Sequence, residues 1–68
     1  MDKEKLVLNI IKEYLYRGLT EEELKQAGLD GLEIAEEKYE KRADFSFESY
    51  AVWWIRRSIL QAIAEKTR

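Results

Sequence analysis

Apolar residues recur near the N-terminus at the spacing of an amphipathic helix. Large apolar pairs follow one another at intervals of about one helical turn, and this places them on one face. Asp2 is a suitable N-cap residue, and Gly18 is suited to the position just past the C-terminal end. The pattern predicts a first helix that ends just before Gly18. Its apolar face consists of Leu6, Val7, Ile10, Ile11, Tyr14 and Leu15.

Two further helix starts are indicated in the middle of the chain. Thr20 and Glu23 match the capping box, in which a threonine and a glutamate three residues later satisfy each other's backbone N–H groups. Gly28 is then expected to end this short second helix. Asp30 followed by Glu33 indicates a third helix. The buried face predicted for that helix consists of Leu32, Ala35 and Tyr39.

The last third of the chain predicts one long helix. Ser46 is its expected N-cap, and Phe45 and Tyr50 stand at the two positions of a hydrophobic staple. A helical projection centred on Ile55 gives one narrow apolar stripe. The residues of this stripe are Ala51, Val52, Ile55, Ser58, Ile59, Ala62 and Ile63. The other side carries Tyr50, Trp53, Trp54, Arg57, Leu60 and Gln61.

The composition agrees with a small helical protein. Sixty-eight residues allow one modest core, which buries only ~60% of the extended chain's surface. There is no proline, and no apolar run approaches the ~20 residues that span a bilayer. We expect an all-α, compact four-helix bundle with a long C-terminal helix, formed by a single domain over residues 1–68. We expect it to be cytoplasmic, with no membrane partner.

The charges are unevenly distributed along the chain. The net charge is −2. Residues 1–40 contain six Lys/Arg and eleven Asp/Glu, a net charge of −5, whereas residues 41–68 contain six and three, a net charge of +3. The basic part is also the part that contains Trp53 and Trp54. This segregation says more about partners than the total charge does.

The residues for common catalytic and metal sites are missing from the sequence. There is no Cys and no His, which removes the usual thiolate and imidazole ligands and the commonest general base. The glycines form no phosphate-binding loop, because no strand precedes them and no Lys-Ser/Thr follows. We therefore expect no enzyme, no catalytic residues, no metal and no cofactor.

One segment resembles a known family. The run from Phe47 to Arg56 resembles the F-S-T-Y-A-T-W-W-I-R stretch of bacterial sigma-70-type RNA polymerase sigma factors. Tyr16-Arg17-Gly18-Leu19 resembles their N-R-G-L, and the segment 24–32 resembles their D-L-I-Q-E-G-N-I-G-L at the same spacing. The likeness runs without a gap from about Leu6 to Arg68, and it identifies the chain as similar to sigma region 2.

The resemblance implies a DNA-opening function. Region 2 captures the non-template strand of the promoter −10 element. By this likeness Tyr50 would stack on the flipped adenine, Trp53 and Trp54 would support the last intact base pair, and Arg56 would contact a backbone phosphate. The implied DNA-binding residues are Glu40, Arg42, Phe45, Tyr50, Trp53, Trp54, Arg56, Arg57 and Leu60.

The resemblance also implies protein partners. Core RNA polymerase would be bound through the clamp helices of its largest subunit, and an anti-sigma factor is a further partner of the family. The implied polymerase-binding residues are Glu22, Gln26, Ala27, Leu29 and Glu33. Of these only Gln26 keeps the family's residue.

The chain departs from the family pattern in several ways. Arg57 and Leu60 replace the Gln and Thr that read the upstream base pair of the element, and Ala43 replaces an Arg near the adenine pocket. Arginine can read guanine, but leucine cannot hydrogen-bond a base. The sequence stops at Arg68, before the family's helix-turn-helix, so we expect an excised domain, a fragment or a stand-alone region 2-like protein.

Two other functions stay open. The chain is also compatible with a protein-interaction module that binds polymerase or an anti-sigma factor without recognising DNA. A third interpretation is a plain helical bundle of the same ancestry, which predicts buried tryptophans and no accessible aromatic face.

Overall fold

The computed structural model describes residues 2–40 and 44–67. Within these residues the chain forms α1 (Lys3–Ile11), a short 3-10 helix (Lys12–Tyr14), α2 (Glu21–Lys38) and α3 (Phe47–Lys66), and no strand. The all-α class and the long C-terminal helix are therefore confirmed. None of the described helices is long and apolar enough to cross a membrane.

The predicted N-caps of the first, second and last helices are confirmed. The Asp2 side chain accepts from the backbone N–H of Lys5 at 3.2 Å, and the Ser46 hydroxyl accepts from the N–H of Ser49 at 3.2 Å. Thr20 and Glu23 form both bonds of the capping box. Each cap satisfies backbone donors that the first helical turn leaves without an intrahelical partner. Local sequence thus determines where each of these helices begins.

The predicted break at Gly28 is wrong. The second and third predicted helices are one continuous helix, α2, so the described residues contain three α-helices rather than four. The glycines inside α2 are needed for close packing. A Cβ atom at Gly28 would lie 2.6 Å from Val7 Cγ1, and one at Gly31 would lie 2.6 Å from the Trp54 carbonyl oxygen. Glycine at these positions lets α1 and the α3 backbone approach α2.

The end of the first helix also differs from the prediction. α1 ends at Ile11 and tightens into a 3-10 helix as far as Tyr14, a common way for an α-helix to end. Tyr16 then adopts a left-handed backbone conformation, with φ of 66°, and Gly18 follows with φ of 108°. Gly18 therefore has a positive φ that suits glycine, but it lies in a turn and does not directly follow the helix as the sequence predicts.

The core lies where the three helices meet. Most of it was predicted from helical spacing, including Leu32 and Ala35 on α2 and the central residues of the α3 stripe. Fully burying one large aliphatic side chain contributes roughly 1.5–3 kcal/mol. The buried apolar residues are Val7, Ile10, Ile11, Tyr14, Leu24, Ala27, Leu32, Ala35, Ala51, Ile55 and Ile59.

Candidate nucleic-acid interface

Because one side of α3 is buried in the core, the residues on its other side are exposed. Ala51, Ile55 and Ile59 are completely buried and follow one another at intervals of four residues. Since a helix has 3.6 residues per turn, Trp53 and Leu60 point away from this stripe. They are 55% and 49% exposed. Exposed apolar side chains that share one helix face mark a candidate binding surface.

Six aromatic rings are connected around the start of α3, and we call them the aromatic cluster. Their neighbouring centroids lie between 5.1 and 6.4 Å apart, within the range of favourable aromatic pairs. Phe45 and Tyr50 are stacked at 5.3 Å, which confirms the predicted hydrophobic staple. The members of the aromatic cluster are Tyr39, Phe45, Phe47, Tyr50, Trp53 and Trp54.

Tyr39 lies at the base of the aromatic cluster. Its ring centroid is 5.3 Å from that of Phe47, 5.7 Å from that of Tyr50 and 6.2 Å from that of Phe45. Its hydroxyl donates a hydrogen bond to the Phe45 carbonyl oxygen. Tyr39 therefore joins the end of α2 to the start of α3 and supports the exposed rings.

The two indoles differ in their surroundings. Trp53 is exposed, whereas Trp54 is partly buried and packs edge-on against Trp53 at 5.1 Å. The Trp54 Nε1 atom is buried and has no hydrogen-bond partner among the described residues. The partly buried Trp54 ring thus supports the Trp53 ring, and Trp53 keeps an accessible surface.

Arg57 brings a positive charge to the indoles. Its guanidinium carbon lies 5.4 Å from the centroid of Trp53 and 6.0 Å from that of Trp54. At these distances the cation is attracted by the negative faces of the rings. A flat apolar ring next to a guanidinium is a suitable pair of groups for a nucleotide, because the base can stack and the phosphate can pair with the cation.

Arg56 is turned toward the 3-10 helix and forms an ion pair with Glu13. Arg56 Nη1 lies 2.6 Å from Glu13 Oε2, and Nη2 lies 3.2 Å from Oε1. The hydrogen bond to the Glu13 carboxylate raises the pKa of Arg56 above its already high ordinary value, so the guanidinium stays charged.

Sequence comparisons show which family the chain belongs to. The family model for sigma-70 region 2 matches residues 2–68. This chain belongs to the sigma-70 region 2 family. It is 44% identical over 64 residues to RNA polymerase sigma factor SigA of a Nostoc species and to SigA1 of Synechococcus elongatus. Each alignment covers 94% of this chain and 16% of the relative. SigA of Microcystis aeruginosa is similar at the same identity over 15% of its length. The chain therefore spans about a sixth of the length of these relatives.

Most of the DNA-binding residues expected for this region 2 chain lie on one surface. Phe45, Tyr50, Trp53 and Trp54 are connected through the aromatic cluster, and Arg57 lies against the indoles. The other members of the set are placed differently. Leu60 is exposed one helical turn beyond Arg57, Glu40 is exposed after the end of α2, and Arg56 is paired with Glu13. Arg42, like Ala43, lies outside the described residues.

Two members of the aromatic cluster, Tyr39 and Phe47, were not predicted as site residues. Tyr39 falls on the buried face predicted for the third helix, which indicates a core residue, but it lies just after the end of α2. Phe47 belongs to the family motif, but its position as the first residue of α3 suggested no function of its own. The density of aromatic residues around the Ser46 cap is the signal that points to both.

The expected polymerase-binding residues of this region 2 chain lie on α2. Glu22, Gln26 and Glu33 are exposed and Leu29 is partly buried, but Ala27 is 7% exposed and packs in the core. Gln26 donates a hydrogen bond to Asp30 Oδ1 at 3.0 Å. A groove of about 470 Å³ lies beside them, between α2 and the end of α3. Its lining includes Gln26, Ala27, Asp30, Glu65 and Lys66.

Proposed function

We propose that the chain is a transcription-initiation domain that captures unpaired promoter DNA on the aromatic cluster and binds core RNA polymerase through α2. The observation that carries this proposal is the exposed Trp53 ring, supported edge-on by Trp54 and flanked by Arg57. Membership of the sigma-70 region 2 family supports it, and the relatives are named as RNA polymerase sigma factors. In this proposal the chain acts as a single cytoplasmic domain without catalytic activity.

In our proposal the non-template strand of the −10 element is held by stacking. Each base stacked on an aromatic side chain contributes ~1–3 kcal/mol, whereas unpairing and flipping a base cost a few kcal/mol. Several rings must therefore act together, and the connected rings of the aromatic cluster support such cooperation. We assign the flipped adenine to Tyr50, with Phe45 and Glu40 beside it, and the intact end of the duplex to Trp53 and Trp54.

The polymerase contact forms the second part of the proposal. Exposed Glu22, Gln26 and Glu33 share α2 with the partly buried Leu29, and we assign this surface to the clamp helices of the largest polymerase subunit. Ala27 would contribute to the polymerase contact as part of the lining of the groove beside Gln26. The −5 charge of residues 1–40 favours a basic partner for this face.

Oligonucleotide binding tests the DNA part of the proposal. A fluorescent single-stranded oligonucleotide with the non-template −10 sequence is titrated with the chain, alone and with core polymerase, and anisotropy and tryptophan emission are recorded. We expect tighter binding to the single strand than to the duplex, and quenching of the indole emission. Trp53→Ala should weaken binding about five-fold or more, given the free energy of one stacked base.

A matched control separates stacking from a general loss of aromatic surface. Tyr16 is 97% exposed and does not belong to the aromatic cluster, so Tyr16→Ala should leave oligonucleotide affinity unchanged. If the oligonucleotide leaves the tryptophan emission unchanged even with polymerase present, the DNA-capture function is wrong.

A protein-interaction module without DNA recognition is the second candidate. The observation that favours it is the exposed Leu60, which offers an apolar surface but no hydrogen bond to a base. This candidate predicts that the chain retains core polymerase or an anti-sigma factor in a binding assay while run-off transcription shows no promoter effect.

A further inference from the structure

In the Arg56–Glu13 ion pair, Glu13 occupies the guanidinium N–H donors that a phosphate would need. Each carboxylate oxygen of Glu13 lies close to a different terminal nitrogen of Arg56, at 2.6 and 3.2 Å. This two-pronged contact is the geometry by which a guanidinium also binds a phosphate. While this ion pair is intact, Glu13 neutralises the charge of Arg56. A nucleic-acid backbone that approaches Arg56 then also approaches the Glu13 carboxylate.

We propose that Glu13 is an intramolecular competitor that occupies Arg56 and lowers the affinity of the chain for single-stranded nucleic acid. This inference rests on the proposed function, because it concerns the same DNA-binding surface. Binding of a backbone phosphate exchanges the Glu13 carboxylate for a phosphate oxygen pair on Arg56. The freed carboxylate then stays near the phosphate and repels it, so Glu13 opposes binding before and after the exchange.

The ion pair is accessible enough for this exchange. The side chains of Arg56 and Glu13 are 43% and 50% exposed, and ion pairs so exposed contribute little to stability. The neighbouring residue, Arg57, lies against the indoles of the aromatic cluster. Arg56 also follows Trp53 by three residues on α3, which makes the two side chains neighbours on the helix surface. A strand stacked on Trp53 would therefore bring its backbone close to Arg56.

A double-mutant cycle tests the competition. Single-stranded −10 oligonucleotide is titrated with the wild-type chain, Glu13→Gln, Arg56→Gln and the double variant at several salt concentrations. Glu13→Gln should bind about three- to five-fold tighter at low salt. Its salt slope should steepen by up to about 0.7, the value for one phosphate on a single strand, because no freed carboxylate then takes up a counterion when Arg56 pairs with the phosphate. In the Arg56→Gln background the same change should give a clearly smaller gain, because only a repulsive charge is removed.

The control variant is Glu4→Gln. This variant also removes one negative charge and one ion pair between elements, Glu4–Lys25 at 3.3 Å. Glu4 lies in the first turn of α1, nine residues before Glu13. Its affinity should equal that of the wild type. Circular dichroism of every variant establishes that the helices are retained.

The possible results separate this inference from the proposed function. If the wild type binds but Glu13→Gln binds equally or more weakly, Glu13 does not compete and the inference is wrong, while DNA capture stands. Equal gains in the presence and absence of Arg56 also overturn it, since they show a general charge effect. If neither the wild type nor Glu13→Gln binds, alone or with core polymerase, both the inference and the proposed function are wrong.

Discussion

The hydroxyl of Tyr39 donates a hydrogen bond to the backbone carbonyl oxygen of Phe45, with 2.9 Å between the two oxygens. Phe45 directly precedes the Ser46 N-cap, and its ring stacks on Tyr50 at 5.3 Å. One hydrogen bond therefore ties the end of α2 to the residue that begins the exposed aromatic surface.

Tyr39→Phe removes this hydrogen bond and retains the ring. We expect the free energy of unfolding to fall by about 0.5–1.5 kcal/mol, the usual net contribution of one neutral hydrogen bond. The Phe45 and Tyr50 ring protons should also change in chemical shift, because the stack loses its backbone anchor. Tyr16→Phe, which removes a fully exposed hydroxyl, is the control and should change neither quantity. Unchanged Phe45 resonances in Tyr39→Phe would show that the hydroxyl does not position the stack.

Gly31 is a position where α2 and the α3 backbone approach each other closely. A Cβ atom there would lie 2.6 Å from the Trp54 carbonyl oxygen and 2.8 Å from Ile55 Cα. Ala is the better helix former by about 1 kcal/mol, yet we expect Gly31→Ala to destabilise the fold by roughly 1–3 kcal/mol because backbone atoms must separate. Denaturant unfolding followed by circular dichroism measures the change.

Gly28→Ala provides the comparison for Gly31→Ala. The Cβ atom at position 28 would meet a side-chain methyl group, Val7 Cγ1, at 2.6 Å. A methyl group can shift more readily than a helix backbone, so the loss should be smaller than for Gly31→Ala. If Gly31→Ala is as stable as the wild type, the close approach of α2 and α3 is not required for the fold.

The glycines of α2 also show where sequence reasoning stops. Gly28 has the same local signature whether it ends a helix or permits a close helix crossing, because both uses depend on the missing side chain. At Gly28 the choice is made by Val7 and Ile55, which lie on other helices and are distant in sequence. The caps at Asp2, Thr20 and Ser46 were predictable because their partners lie only three residues away.

The features of the candidate site likewise include some that local sequence predicts and some that it does not. The outward position of Trp53 and the Phe45–Tyr50 stack follow from helical spacing and the staple pattern, and both were predicted. The contacts of Arg56 and Tyr39 were not, because each joins two elements that the sequence does not bring together locally. The roles of these residues in binding remain predictions.

Tyr16 carries backbone strain. Its φ of 66° lies in the left-handed region, which is unfavourable by roughly 1–2 kcal/mol for a residue with a large side chain, and its ring is 97% exposed. Asparagine is several-fold enriched in this conformation. We expect Tyr16→Asn to raise the free energy of unfolding by about 0.5–1 kcal/mol, measured by thermal and denaturant unfolding.

Tyr16→Ala separates strain from side-chain effects. Alanine keeps the Cβ atom that makes the left-handed conformation unfavourable, so this variant should not be stabilised. Equal stabilisation by alanine and asparagine would mean that the exposed ring, and not the backbone, limits stability.

We expect Glu23 to make the stability of the fold depend on pH. It accepts hydrogen bonds from the Thr20 backbone N–H at 3.0 Å and from Lys66 Nζ at 3.1 Å, and these, the Thr20 bond first, lower the pKa of Glu23 in the folded chain. A lowered pKa means that the stability contributed by ionised Glu23 is complete above the ordinary glutamate pKa of about 4.3 and is lost as the pH falls through the folded-state value.

Glu23→Gln keeps an acceptor for the cap but cannot titrate, so its unfolding midpoint should change less between about pH 6 and about pH 3 than that of the wild type. Glu22→Gln, one residue earlier and exposed, should keep the acid sensitivity of the wild type, and an equally flat profile in both variants would contradict the assignment to Glu23.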